Sequence, residues 1–232
     1  MASRELKVRS RDGGAFDCYL ALPQAVSRAP AIVLASAIFG VDADVRGIAE
    51  HFASLGFVAV APDLFWRDGM GPLPLGDERA PKRAEPRLEK IKAGEADLAD
   101  VLAALREQPA FNGRAAVIGF CYGGPYAILG PKRLGYDAGI SCHGTQMLDF
   151  VGELDDLRKP VCVLWGDRDV KAPLEVLDAY REAASRSSNL EMHVFPGLLH
   201  GYTMRANTKA FDQMAYDHSI GRAAAILRGL SR

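Results

Sequence analysis

The stretch Ala115-Ala116-Val117-Ile118-Gly119-Phe120-Cys121-Tyr122-Gly123-Gly124-Pro125 decides how this chain reads. An apolar run ends in Gly-x-Cys-x-Gly, and Pro125 then opens a helix near its first turn. A side chain at the tip of a sharp strand-to-helix turn takes strained backbone angles. Glycines two before and two after it remove the Cβ atoms that would collide across the turn. Such a nucleophile elbow would present Cys121 alone above the sheet. The following helix N-terminus adds positive potential that favours the thiolate, the reactive form of the side chain. The bland alternative is a small buried thiol behind a strand, which is how most cysteines behave. The choice between them rests on whether an acid and a histidine follow in matching elements.

Both follow. After the strand Val161-Cys162-Val163-Leu164-Trp165 comes Gly166-Asp167-Arg168-Asp169, and after Glu191-Met192-His193-Val194-Phe195 comes Pro196-Gly197-Leu198-Leu199-His200-Gly201. The order nucleophile, acid, histidine is that of an α/β-hydrolase. Each residue lies just past the C-terminal end of a strand, where an open parallel sheet places its crevice. Taken singly, His200 reads equally well as a loop imidazole, and Gly-Asp-Arg-Asp is good turn chemistry. Jointly, three elements ending in the right residue types in the right order argue against coincidence. The acid role is open between Asp167 and Asp169 on spacing alone. His51 and His218 fall in helical patterns and His193 in a strand, so those three read as ordinary.

Outward from this core, apolar runs alternate with helical patterns, the sequence form of a mostly parallel sheet with helices on both faces. The start departs from it: Glu5 to Arg9 and Phe16 to Leu22 flank Arg11-Asp12-Gly13-Gly14, an antiparallel hairpin at the sheet edge. Strands are expected over Ala31 to Ala35, Phe57 to Ala61, Ala115 to Gly119, Ala138 to Cys142, Pro160 to Trp165 and Leu190 to Phe195, and helices over Val45 to Leu55, Leu88 to Leu105, Leu174 to Ala184 and Asp212 to Leu230. Between Pro62 and Pro86 the pattern dissolves into Gly, Pro and charge, a connection too long for an ordinary loop and of the kind that covers a site.

Composition narrows the function. The 232 residues carry 28 Lys+Arg against 29 Asp+Glu, a formal charge of -1, and 49% are hydrophobic. Residues 1–232 read as a single α/β domain able to bury its own core. Balanced charge leaves no footprint for nucleic acid or anionic lipid. The strongest apolar stretch, Ala29 to Phe39, is about half the roughly 20 residues of a membrane helix, and the N-terminus has no apolar signal region. Cys18, Cys121, Cys142 and Cys162 lack CxxC spacing, which fits free thiols in a cytoplasmic protein. No phosphate-binding glycine motif or metal-ligand cluster points to a cofactor or a metal. The oligomeric state is open between monomer and homodimer.

Together GFCYGG, WGDRDVKAP, GLLHGY and ASAIFGVD resemble the dienelactone hydrolase family, a cysteine-nucleophile branch of the α/β-hydrolases, over essentially the whole chain. The resemblance implies a hydrolase of small, anionic carboxylic esters or lactones. It makes Cys121 the nucleophile, His200 the general base and then acid, and Asp169, through the family's Gly-x-x-Asp, the residue that orients the imidazole. It also assigns the oxyanion to the backbone amides of Tyr122 and Ile38.

The resemblance further implies arginines that hold a substrate carboxylate, one in the long loop and one shortly after the histidine. The loop offers Arg79, Lys82, Arg83 and Arg87, with Arg79 and Arg83 the chosen candidates, and Arg205 follows the histidine. His143 stands where the family often has an aromatic residue facing substrate, and Phe39 and Trp66 are further candidates for the pocket wall. One departure is plain: the family carries Glu immediately before Ile-Phe-Gly, and here the residue is Ala37. Two other functions stay open, a non-hydrolytic or slow-turnover binder on the same fold and a redox-sensing thiol protein.

Overall fold

The structure, a computed structural model, describes residues 2–24 and 28–230. Its strands are β1 (Ala2–Arg9), β2 (Ala15–Leu22), β3 (Ala29–Ala35), β4 (Val58–Pro62), β5 (Phe111–Phe120), β6 (Ala138–Cys142), β7 (Val161–Gly166) and β8 (Leu190–Phe195). They form one eight-stranded sheet in the order β1-β2-β4-β3-β5-β6-β7-β8. β1 and β2 make the antiparallel hairpin expected at the edge, and β2 also runs antiparallel to β4. All remaining pairings are parallel.

β3 explains why the layers form. Every one of its residues is buried. Ala31, Val33 and Ala35 face one hydrophobic cluster while Ile32 and Leu34 face another. A strand buried on both faces reads as a continuous apolar run, as this one does. The first cluster takes its helical cover from α3 (Arg87–Arg106) and α5 (Leu174–Arg186). The second is covered by α1 (Ala43–Ser54) and the C-terminal helix (Gln213–Gly229). Asp42 caps α1 by accepting the Val45 amide at 2.9 Å, and Asp212 caps the last helix through Ala215, also at 2.9 Å.

Two elements differ from the periodic reading. The long loop holds a short helix, α2 (Arg79–Arg83), inside its charged run. The helix expected from Pro125 onward is one α-turn, α4 (Tyr126–Leu129), continued as a π-turn over Gly130–Leu134. Pro131 is the cause we assign: it has no N–H to give the carbonyl of Ala127, so the α-helical ladder cannot continue.

The sheet order fixes where a site can form. The chain leaves β3 for β4 on one side and returns to β5 on the other. Side by side, β3 and β5 are therefore the switch point at which the crevice above the strand ends opens. Ile38 follows β3 there and Cys121 follows β5.

Candidate active site

Cys121 has φ 52°, in the left-handed region that costs a non-glycine residue strain. Its neighbours explain why the turn tolerates this. A Cβ on Gly119 would lie 2.0 Å from the carbonyl oxygen of Gly123, and one on Gly123 would lie 2.1 Å from that of Ala35 at the end of β3. The turn is closed by the Cys121 carbonyl, which accepts the amides of Gly124 and Thr145, each at 3.0 Å. Cys121 itself is half-buried.

Asp169 sits in the tight turn after β7, its side chain fully withdrawn from solvent. One carboxylate oxygen accepts the Lys171 amide at 2.8 Å and the other accepts Nδ1–H of His200 at 2.8 Å. Asp167, the rival on spacing, is exposed and accepts the Gly197 amide at 2.6 Å, so it braces the loop that carries the histidine. The two loops are also tied by Arg168 N–H to the Leu198 carbonyl at 3.1 Å. His200 and Cys121 border the same lobe of the cleft, and the sulfur acts on the charge of the ring. Burial pulls the pKa of His200 down, but the hydrogen bond to Asp169 and the negative charge of Asp169 and Cys121 outweigh that and hold it up at about 10.

His143 is a second imidazole at this site. It is fully buried after β6 with φ 41°, and its ring centroid lies 5.1 Å from that of His200 in an edge-to-face contact. Nε2 shares a 2.7 Å hydrogen bond with the Thr203 hydroxyl. Burial, then the charge of His200, push its pKa well below the usual range, so this ring is neutral beside a charged one. Cys142, next to it in sequence, is buried in the hydrophobic cluster on the opposite face of the sheet from that against which Cys121 packs.

The cleft over Cys121 has two lobes. One, of about 500 Å³, is bounded by Ala37, Ile38, Phe39, Leu73, Pro74, His143, His200 and Met204, with Asp42 and Asp44 at its wall. The other, of about 410 Å³, runs from Cys121 past Arg87, Thr145, Gln146 and Leu148 to Val170 and Val176. Cys121, Ile38 and Lys171 border both. Among the described residues, the Ile38 amide donates to no other group and is free to face the cleft. The amide of Tyr122 follows Cys121 directly, while its ring is buried between Phe65 and Arg87. Ala37 contributes only a methyl group to the cleft, where the family pattern has a carboxylate.

Phe39 and His143 thus line the cleft, whereas Trp66, Arg79, Arg83 and Arg205 border neither lobe. Trp66 stacks on Phe16 and donates its indole N–H to Asp97 at 3.2 Å. Arg79 pairs with Asp77 at 2.7 Å, and Arg83, with a fully buried side chain, pairs with Asp68 at 2.7 Å. Arg205 lies over the rings of Phe211 and Tyr216 at 4.8 and 5.0 Å. Among the described residues, the lysine and arginine side chains that border the cleft are Lys171 and Arg87. Arg87 carries the signal of a loop-end arginine; Lys171, two residues after Asp169, has no sequence mark of its own.

Among the described residues one group has metal-ligand character: Cys162, Glu191 and His193, with ligand atoms within 4.8 Å of one another. None of the three borders the cleft, and Glu191 is already held by Arg222 at 2.5 Å and by His193. No helix among the described residues is long and apolar enough to cross a membrane.

A cysteine elbow after β5, an acid after β7 and a histidine after β8 on a mostly parallel sheet define the α/β-hydrolase fold. The model of the dienelactone hydrolase family matches residues 16–229, and the chain belongs to that family. It is 31% identical over 232 residues to carboxymethylenebutenolidase 1 of Cupriavidus pinatubonensis, covering 98% of this chain and 97% of that one. It is 26% identical over 211 residues to the carboxymethylenebutenolidase of Pseudomonas putida, covering 90% and 89%. Among solved structures, a dienelactone hydrolase-like promiscuous phosphotriesterase from metagenomic libraries superposes with a TM-score of 0.81 at 21% identity, covering 99% of each chain. The protein is a hydrolase of carboxylic esters or lactones.

Proposed function

We propose that the enzyme hydrolyses small, anionic carboxylic esters or lactones through a Cys121–His200–Asp169 triad and a thioester intermediate. The observation that carries this is the 2.8 Å hydrogen bond from His200 to buried Asp169, with Cys121 and His200 facing the same mostly apolar cleft. The thiolate of Cys121 attacks the carbonyl carbon, and the carbonyl oxygen takes the negative charge against the amides of Ile38 and Tyr122. The C–O bond then breaks, and the imidazolium of His200 gives its proton to the departing alkoxide or enolate. Neutral His200 next takes a proton from water, the hydroxide adds to the thioester, and the acid leaves as the C–S bond breaks. Throughout, Asp169 holds the Nδ1–H and fixes the ring. Four free thiols support the cytoplasm as the compartment, and residues 1–232 act as one domain on a small-molecule substrate.

The test is turnover of p-nitrophenyl acetate, with intact mass after an acid quench. The wild type gains one acyl group on Cys121, while Cys121→Ala and His200→Ala each abolish turnover without unfolding the chain. Near-normal rates in either variant would remove the triad.

A further inference from the structure

The two lobes of the cleft differ in charge, and each faces one side of the bond to be cut. Resting on the triad reading above, we propose that the preferred substrate is an open-chain half-ester of a dicarboxylic acid. Its bulky apolar alcohol occupies the lobe beside His200, and its free carboxylate occupies the lobe bordered by Lys171 and Arg87.

The first step of the argument is directional. His200 borders the larger lobe and not the other. The proton it delivers goes to the leaving oxygen, so the alcohol half lies on its side and the acyl half on the opposite side of Cys121. The alcohol lobe, about 500 Å³ and walled by Phe39, Leu73 and Met204, is of the size that encloses drug-sized apolar groups, far beyond what methanol or ethanol fills. A compact lactone would leave most of it empty, because ring closure keeps acyl and alcohol halves together.

The second step is electrostatic. Lys171 borders both lobes, but in the alcohol lobe it is matched by Asp42 and Asp44, so a substrate carboxylate there would meet like charge. The acyl lobe is the reverse. Among the described residues, neither Lys171 nor Arg87 has a carboxylate within ion-pair distance, in contrast to Arg79 and Arg83. Arg87 is nine-tenths buried; it donates to the carbonyls of Tyr122 at 3.2 Å and Thr145 at 2.9 Å, and its Nε has no partner. Glu85 shares the lobe, with one oxygen engaged by the Arg87 amide at 2.9 Å. Arg87 belongs to this lobe and not to the other, and with the shared Lys171 it leaves two cations against one carboxylate. Leu148, Val170 and Val176 on its wall suit the methylenes between ester and acid.

The experiment compares kcat/KM for 2-phenylethyl hemiglutarate, 2-phenylethyl valerate and ethyl hemiglutarate, esters whose alkoxides leave with similar ease. The expected order places 2-phenylethyl hemiglutarate first, ahead of each of the others by about fivefold or more, with the charge preference shrinking as salt rises. Lys171→Gln lowers the hemiglutarate-to-valerate ratio about fivefold, and Lys171→Glu lowers it further. Ala206→Phe, at an exposed position lining the alcohol lobe, lowers the phenylethyl-to-ethyl ratio instead. Cys121-dependent turnover with no preference for the charged acid, or a Lys171→Gln variant with an unaltered ratio, overturns the inference alone. Absence of Cys121-dependent turnover on every ester overturns the triad reading and the inference with it.

Discussion

Nδ1 of His200 lies 2.8 Å from Oδ2 of Asp169, whose side chain has no exposure to solvent. A charge so enclosed acts on its neighbour with little screening, so that contact fixes the tautomer of the imidazole and, together with Cys121 and against burial, raises its basicity.

Asp169→Asn keeps the shape and removes the charge. The ring then loses its fixed tautomer, and kcat/KM should fall by about 10³ to 10⁴. Asp167→Asn, which touches only the Gly197 amide, should alter kcat/KM by no more than a few-fold. Equal losses in the two variants would contradict the assignment of the acid.

The raised pKa of His200 also makes stability depend on pH. Its folded value, about 10, lies above the ordinary histidine value of about 6.5 in an unfolded chain. The proton therefore stabilises the fold fully below about pH 6.5, and that contribution is lost as pH rises toward and through 10. Urea unfolding at pH 7 and pH 9.5 should show the wild type losing a few kcal/mol more than His200→Gln over this interval. Parallel curves for the two proteins would refute the shift.

Gly123→Ala places a methyl group 2.1 Å from the carbonyl oxygen of Ala35. The backbones of β3 and the elbow must part to admit it, which separates the Ile38 and Tyr122 amides. We expect a loss of about 2 to 4 kcal/mol in stability together with esterase activity. Thermal unfolding and an ester assay on the same sample check both.

The long loop is anchored away from the chemistry. Arg67 makes a two-pronged bond to Asp97, at 2.6 and 3.0 Å, and the Asp97 side chain is fully buried. Arg67→Met strands that carboxylate and should cost about 3 to 5 kcal/mol. Adding Asp97→Leu should recover most of the loss, since no buried charge then remains unpaired. A double variant as unstable as the single one would show that the loop depends on this ion pair in particular.

The fold was legible wherever local pattern and burial coincide. β6 and β8 match the residues read from the sequence, and the hairpin turn at Gly13 and Gly14 has the positive φ that its glycines announce, at 95° and 83°. The loop cations were not legible in the same way. Arg79 and Arg83 lie in the expected segment, yet each is matched to a carboxylate of its own loop, and Arg205 is matched to aromatic rings. Charge pairing depends on which side chains meet in space, and a run such as Asp77-Glu78-Arg79 does not specify that.

The amino-acid order alone determined the elbow, the order of sulfur, acid and imidazole, and the alternation of strands and helices, because each is a matter of neighbours along the chain: glycine spacing, apolar period, and the residue that ends a strand. The tertiary structure decided what surrounds the sulfur. Only folding brings Ile38 beside Cys121 at the β3–β5 switch, sets neutral His143 against charged His200, and leaves Arg87, at the lobe opposite His200, and Lys171, between the lobes, without ion-paired carboxylates among the described residues. Those properties are sums over groups far apart in sequence, and they take their values only when burial removes the water that would otherwise screen them.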